Sequence, residues 1–86
     1  MENIENITGM LVKHIASDIL KEADRVISNE EPLISSGLID SFSLVDLALM
    51  VEDLFDVQID DSELNSDTFD TVSQLASIII KRLPGK

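Results

Sequence analysis

Gly37-Leu38-Ile39-Asp40-Ser41-Phe42-Ser43-Leu44-Val45-Asp46-Leu47 is the stretch on which the reading of this chain turns. Gly37 belongs to a run of turn formers with Ser35 and Ser36. Asp40 and Ser41 are both helix-capping residue types, and the apolar spacing after them is helical. The spacing therefore predicts a helix that begins at Asp40 or Ser41 and runs to about Phe55. Placed at the mouth of that helix, the Ser41 hydroxyl needs an explanation.

The helix carries two apolar faces. With about 100° per residue and Phe42 at zero, Leu44, Leu47, Ala48, Val51, Leu54 and Phe55 fall within about 120° to 240°. That stripe is wide enough to pack a core. Phe42, Val45 and Leu49 lie on the opposite side, among Asp46, Glu52, Asp53 and Asp56. A bundle helix needs only one buried stripe, and buried unpaired carboxylates are costly. The second strip reads as a protein-docking surface on which apolar contact gives affinity and acids select a basic partner. Ser41 sits at its edge.

The flanking sequence is also helical. Ile4, Ile7, Leu11, Val12, Ile15 and Ile19 recur with helical spacing and predict a first helix over roughly residues 3 to 22. Residues 23 to 40 form a long connection, with Pro32 biasing Glu31 away from helix. Leu33, Ile34, Leu38 and Ile39 are too apolar for a loose linker and should pin it to the helices. A short helical turn is expected near Asp61 to Asn65. The last helix spans Thr71 to Leu83, opened by the capping-box spacing of Thr71 and Gln74. It places Val72, Leu75, Ala76, Ile79 and Leu83 on one face, with Lys81 and Arg82 in its final turn. No strand pattern competes. The expected fold is all-α, a small four-helix bundle of three main helices and one short one. It is read as one domain over residues 1–86, with residues 1–3 and 84–86 frayed.

Bulk composition narrows the function. The 86 residues carry a formal net charge of −11 and include three Phe, no Tyr and no Trp. Twelve acids and no Lys or Arg lie between Arg25 and Lys81. Such a field repels nucleic acid and anionic lipid and attracts basic proteins, and base-stacking platforms are nearly absent. Without Cys there are no disulfides, thiolates or cysteine metal sites. No apolar run approaches the roughly 18 residues needed to span a bilayer, and no signal peptide is evident, so a cytoplasmic location is expected.

Three readings of Ser41 compete. As an enzyme nucleophile it would need a base and an oxyanion site. The single His is His14, on the first helix, and no Gly-x-Ser-x-Gly elbow surrounds the serine. As a mere cap it would satisfy one orphan amide. The third reading comes from context. Asp40-Ser41-Phe42, with Ser43-Leu44-Val45-Asp46-Leu47 after it, resembles the signature of carrier proteins: Asp-Ser, a large apolar residue, two variable positions, Val, an acid and Leu. The likeness extends to the loop ending in Gly37-Leu38-Ile39, to Glu52-Asp53-Leu54-Phe55, to the Val57-Gln58-Ile59 connection and to the amphipathic last helix. The chain is similar to the acyl carrier protein family, whose relatives include peptidyl and D-alanyl carriers.

The resemblance implies a non-catalytic, monomeric, free-standing carrier. Ser41, beside Asp40, would receive 4′-phosphopantetheine from coenzyme A through a phosphopantetheinyl transferase. The arm's thiol would hold acyl intermediates as thioesters for a fatty-acid, polyketide or specialised pathway. Phe42, Val45, Asp46, Leu49 and Asp53 match positions that meet partner enzymes: a loading ligase and downstream synthases with basic docking patches. Phe42 and Ser43 stand where fatty-acid-synthesis carriers usually show Leu and an acid, and Leu54 where they show an acid. This wording is closer to discrete carriers of specialised pathways, including some loaded by adenylating ligases with aminoacyl or peptidyl cargo. The rival from another class is a cofactor-free acidic helical adaptor. An EF-hand reading of Asp56, Gln58, Asp60 and Asp61 fails, because Asp61 replaces the required glycine and Asp67 stands where Glu should be. No metal site is expected.

Overall fold

The computed structural model describes residues 4–22 and 24–83. The fraying expected at residues 1–3 and 84–86 lies outside them. Three α-helices and two short helical turns make up the regular structure, and no strand occurs among the described residues. Helix α1 spans Ile4–His14 and continues into a π-helical turn at Ile15–Ile19. Helix α2 spans Ser41–Phe55, a 3-10 turn covers Asp61–Glu63, and α3 spans Val72–Arg82. The all-α bundle expected from the sequence is therefore present. Its short fourth element is one 3-10 turn rather than an α-helical one.

The first helical segment ends at Ile19, short of the expected residue 22, and the reason is local. Lys21 adopts φ 59°, a left-handed conformation that halts the helix. The Leu20 N–H donates to the Ile15 carbonyl and the Glu22 N–H to the Ala16 carbonyl, so orphan carbonyls are satisfied across the stop. The same device ends α2. Asp56 has φ 57°, and its N–H donates to the Glu52 carbonyl. Helix α3 begins as its sequence dictates. The Gln74 N–H donates to Thr71 Oγ1 at 3.2 Å, and Gln74 Oε1 accepts from the Thr71 and Asp70 amides.

One core joins the elements. Ile7, Leu11 and Ile15 from the first segment meet Leu44, Leu47 and Val51 of α2 and Val72, Leu75 and Ile79 of α3. Helix α1 packs along α3, whereas α2 meets the first segment at its π turn. Met50, which falls at about 80° on the helical wheel and so between the two faces, is buried. Ala48 and Leu54 of the expected stripe are half-buried and pack against this core, whereas Ile4, which shares the spacing of the first helix, is exposed. Val57, Ile59 and Phe69, which lie outside the main helices, complete the core.

The connection before α2 is tied down by main-chain and carboxylate bonds. Leu33 is fully buried. Its N–H donates to the Asp70 carbonyl at 2.6 Å, and its carbonyl accepts from the Ile39 N–H at 2.9 Å. The Asp70 carboxylate accepts from the Ile34 N–H at 2.8 Å, the Ser35 N–H at 2.9 Å and the Ser35 hydroxyl. These bonds, led by the Ser35 hydroxyl, hold the Asp70 carboxyl below the usual range. Ile39 is buried as well, and Ile34 and Leu38 are half-buried against the core, so the four apolar loop residues do pin the segment. Gly37 takes φ 83° in the turn just before α2, a conformation open to glycine at little cost. At the other end, Arg82 makes a bidentate pair with Glu63 and locks the 3-10 turn to the end of α3. Arg82 holds the Glu63 carboxyl down to about 2.

Two measurements test this packing. Leu33→Ala should lower unfolding stability by about 2–5 kcal/mol in urea titration, as expected for a buried Leu whose site cannot collapse. Glu63 supplies the pH test. A carboxyl held below its ordinary value of 4.5 stabilises the folded form fully above that pH, and loses its contribution as pH falls through about 2. The stability gap between wild type and Glu63→Gln should therefore be complete at neutral pH and close as acid is added across that window.

Candidate functional site

The site is built at the junction of the pinned loop and α2. Asp40, in extended conformation (φ −86°, ψ 178°), is the N-cap. Its Oδ1 accepts from the Ser43 N–H at 2.8 Å, and its carbonyl accepts from the Leu44 N–H at 3.0 Å. The bond from the Ser43 backbone, with others of the first turn, holds the Asp40 carboxyl below its ordinary value. Ser41 is thereby relieved of capping. It is the first residue of α2, it is exposed, and its hydroxyl makes no hydrogen bond among the described residues. Of the two capping candidates offered by the sequence, Asp40 performs the task.

The outward strip of α2 is equally plain. Phe42 is 86 % exposed, Val45 51 % and Leu49 56 %. Large apolar side chains this open to water are grouped on one face of a helix that already has a complete core stripe, rather than scattered singly. Asp46, Glu52, Asp53 and Asp56 are exposed around them. The expected partner-facing residues Phe42, Val45, Asp46, Leu49 and Asp53 thus share one solvent-facing surface that starts at Ser41. His14 does not serve the hydroxyl as a base. It is half-buried on α1 with Nδ1 3.2 Å from Asp18 Oδ2. No cluster of three or more His, Cys, Asp or Glu among the described residues is arranged to hold a metal ion. None of their helices is long and apolar enough to cross a membrane.

Asp70 is the residue that sequence reasoning missed. It positions the loop that delivers Ser41, yet it stands 35 residues from its hydrogen-bond partner Ser35. No local pattern carries such a signal.

The architecture is that of a carrier domain. Among solved structures, the crystal structure of an acyl carrier protein from Thermotoga maritima shares the fold with a TM-score of 0.70 and 24 % sequence identity. The match covers 92 % of this chain and 88 % of that one. No curated protein sequence matches the chain. A family model described as the phosphopantetheine attachment site matches residues 11–79, and the chain belongs to that family. It is a non-catalytic carrier whose cofactor is 4′-phosphopantetheine, and the cofactor-free adaptor reading is set aside.

The residues fit such a group. An exposed hydroxyl with no internal bond to break can be esterified without disturbing the core. The N-terminus of a fifteen-residue helix is an electrostatically favourable place for a phosphodiester anion. Removing the cap should loosen that place specifically. Asp40→Ala should speed hydrogen exchange at the Ser43 amide and its neighbours in the first turn of α2, while core amides of α3 keep their protection.

Proposed function

We propose that Ser41 is the attachment residue and that the chain works as a monomeric, cytoplasmic acyl carrier. The observation that carries the reading is the division of labour at the helix mouth. Asp40 satisfies the first-turn amide, so the adjacent hydroxyl stays unbonded and open to solvent. A phosphopantetheinyl transferase would join the arm to Ser41 Oγ, and the arm supplies the thiol that this cysteine-free chain lacks. Thioester cargo is then presented to partner enzymes at a high effective concentration. Phe42, Val45 and Leu49 provide apolar contact and Asp46 and Asp53 provide charge for partners with basic patches.

A second reading of the cargo has its own support. A groove of about 480 Å³ beside α2 starts one turn beyond Ser41, at Val45, and is lined further along by Leu49, Glu52, Asp60 and Asp61. Its acids suit an ammonium-bearing group better than a long fatty chain. The alternative to which these acids point is an aminoacyl carrier loaded by an adenylating ligase, beside the fatty-acid or polyketide cargo of the main reading. Loading assays with amino-acid and fatty-acid adenylating enzymes separate the two.

The attachment is tested by intact-mass spectrometry after incubation with coenzyme A and a broad-specificity phosphopantetheinyl transferase. Wild type should gain the mass of one phosphopantetheine and Ser41→Ala none. Phe42→Ala should change folding stability by no more than about 0.5 kcal/mol, because the ring is in water. The same variant should lower the affinity of a partner enzyme. Modification of Ser41→Ala at another hydroxyl would overturn the assignment.

A further inference from the structure

The side of α1 turned away from α2 borders a groove that the attachment site does not use. Its volume is about 500 Å³, and it lies between α1 and residues 24–29 of the long connection. On the helical wheel Glu5, Val12 and Lys13 lie within about 60° of Gly9, and all four line the groove. His14, which shares a different cavity with Asp46 and Asp53 of α2, lies about 140° from Gly9. No described residue of α2 or α3 lines the groove on α1.

Gly9 leaves a notch in this groove. A glycine inside a helix is less stable there than alanine. A Cβ at Gly9 would meet nothing within 4 Å beyond its own helix, so no close contact inside the molecule calls for the glycine. Val26, on the wall formed by the connection, is 87 % exposed. Two cations stand toward one end. Lys13, one turn beyond Gly9, is exposed and forms no ion pair among the described residues. The main chain brings Arg25 to the same end: the Glu22 N–H donates to the Ala16 carbonyl, and the Arg25 N–H donates to the Glu22 carbonyl. The Arg25 guanidinium is poorly served. Its Nη2 is 3.5 Å from Glu31 Oε2, and its Nε is buried with no hydrogen-bond partner among the described residues. A buried donor left unbonded is costly, so this group gains by turning toward an acceptor in the groove. Glu5 lies about 12 Å from Lys13 along α1, and the exposed Asp24 pairs with neither cation.

We propose that this groove docks a helix of a partner protein that presents a bulky apolar residue and a carboxylate one turn apart. The apolar side chain enters the notch at Gly9, against Val12 and Val26. The carboxylate lies one turn further on, between Lys13 and Arg25, and gives Arg25 the acceptor it lacks. Charge and spacing select this occupant together, because the notch and the cations are themselves one turn apart. The net charge of −11 disfavours an acidic partner at long range. At an ionic strength of about 0.15 M the Debye length is about 8 Å, so the more distant acids are screened and the local cations decide. A partner seated here leaves Ser41 and the outward strip of α2 uncovered. The chain can then stay bound to one protein while its arm serves another. Only that last consequence rests on the carrier reading.

The test uses the full chain, labelled with ¹⁵N, and two capped alanine-rich helical peptides. One carries a leucine with a glutamate one turn to either side; in the other both glutamates are glutamine. The glutamate peptide should shift amides of residues 8–16 and 24–27 and the Arg25 Nε–H resonance, leave α2 unshifted, and bind more tightly than the glutamine peptide. Arg25→Gln and Lys13→Gln should each weaken it by about threefold to tenfold. Lys81→Gln, at an exposed cation of α3, should leave it unchanged. Gly9→Leu separates docking from folding. Its side chain starts into open space and favours helix, so thermal unfolding should be unchanged or raised, yet binding should be lost. Phosphopantetheine transfer to wild type should keep its kcat/KM with the glutamate peptide saturating. Transfer absent even without peptide counts against the carrier reading alone. Any of five results overturns the proposal. Absence of shifts at millimolar peptide removes the site. Equal binding of both peptides removes the role of the cations. Undiminished binding to Gly9→Leu removes the notch. Transfer slowed by the peptide shows that the two surfaces are not separate. Concentration-dependent shifts of the same amides without peptide give the groove to a second copy of the chain.

Discussion

The hydrogen bond from the Ser43 amide to the Asp40 carboxylate is the interaction on which the functional end of this molecule depends. A helix start leaves amides without partners, and some oxygen must serve them. Two candidate oxygens stand side by side in the sequence. Because the aspartate takes the task, the serine beside it keeps a hydroxyl that faces water and has no internal partner to give up. If the roles were exchanged, esterifying the serine would oppose the helix start. The acid before the serine therefore explains the availability of the serine, and it needs no catalytic part in the attachment.

That junction would be of little use on a loose tether. The long connection that leads into α2 is fixed at Leu33, whose side chain is in the core and whose two backbone groups are both bonded, and at Asp70, whose carboxylate gathers the Ile34 and Ser35 amides. The Ser73 N–H and hydroxyl add bonds to the Asn29 carbonyl and the Glu30 carboxylate. The start of α3 is in this sense the anchor for the approach to α2. Charge is partitioned to match. The interval from Val26 to Ile80 holds no Lys or Arg, so every charged side chain that α2 and its approach contribute around the serine is acidic. A partner is steered toward it by long-range attraction and retained by short-range apolar contact.

Much of this was legible in the chain because its signals are local. The caps of α2 and α3, the core stripe of α2 and the exposed trio Phe42, Val45 and Leu49 all arise from residue types at fixed spacing within a few turns. The capping box of Thr71 and Gln74 is formed as written. The illegible features depend on neighbours distant in sequence or on unusual backbone. The early stop at Lys21 requires a left-handed lysine, where glycine would have been the readable signal. Met50 is buried since the π turn covers its side of α2, and no wheel drawn for α2 alone contains that turn. The Asp70 clamp joins residues 35 apart, and Phe69 and Val57 enter the core from segments without helical period. Ile4 matched the first helix's spacing yet is the first residue of that helix and stays exposed.

The decisive question is where the prosthetic arm resides in the living source of the protein. Peptide mass spectrometry of material purified from its own host, without added enzymes, tests this most directly. A phosphopantetheine on the peptide fragment pinpointed to Ser41, with or without thioester cargo, is the predicted result. A native population bearing the arm on a different residue, or bearing none at all, would contradict it.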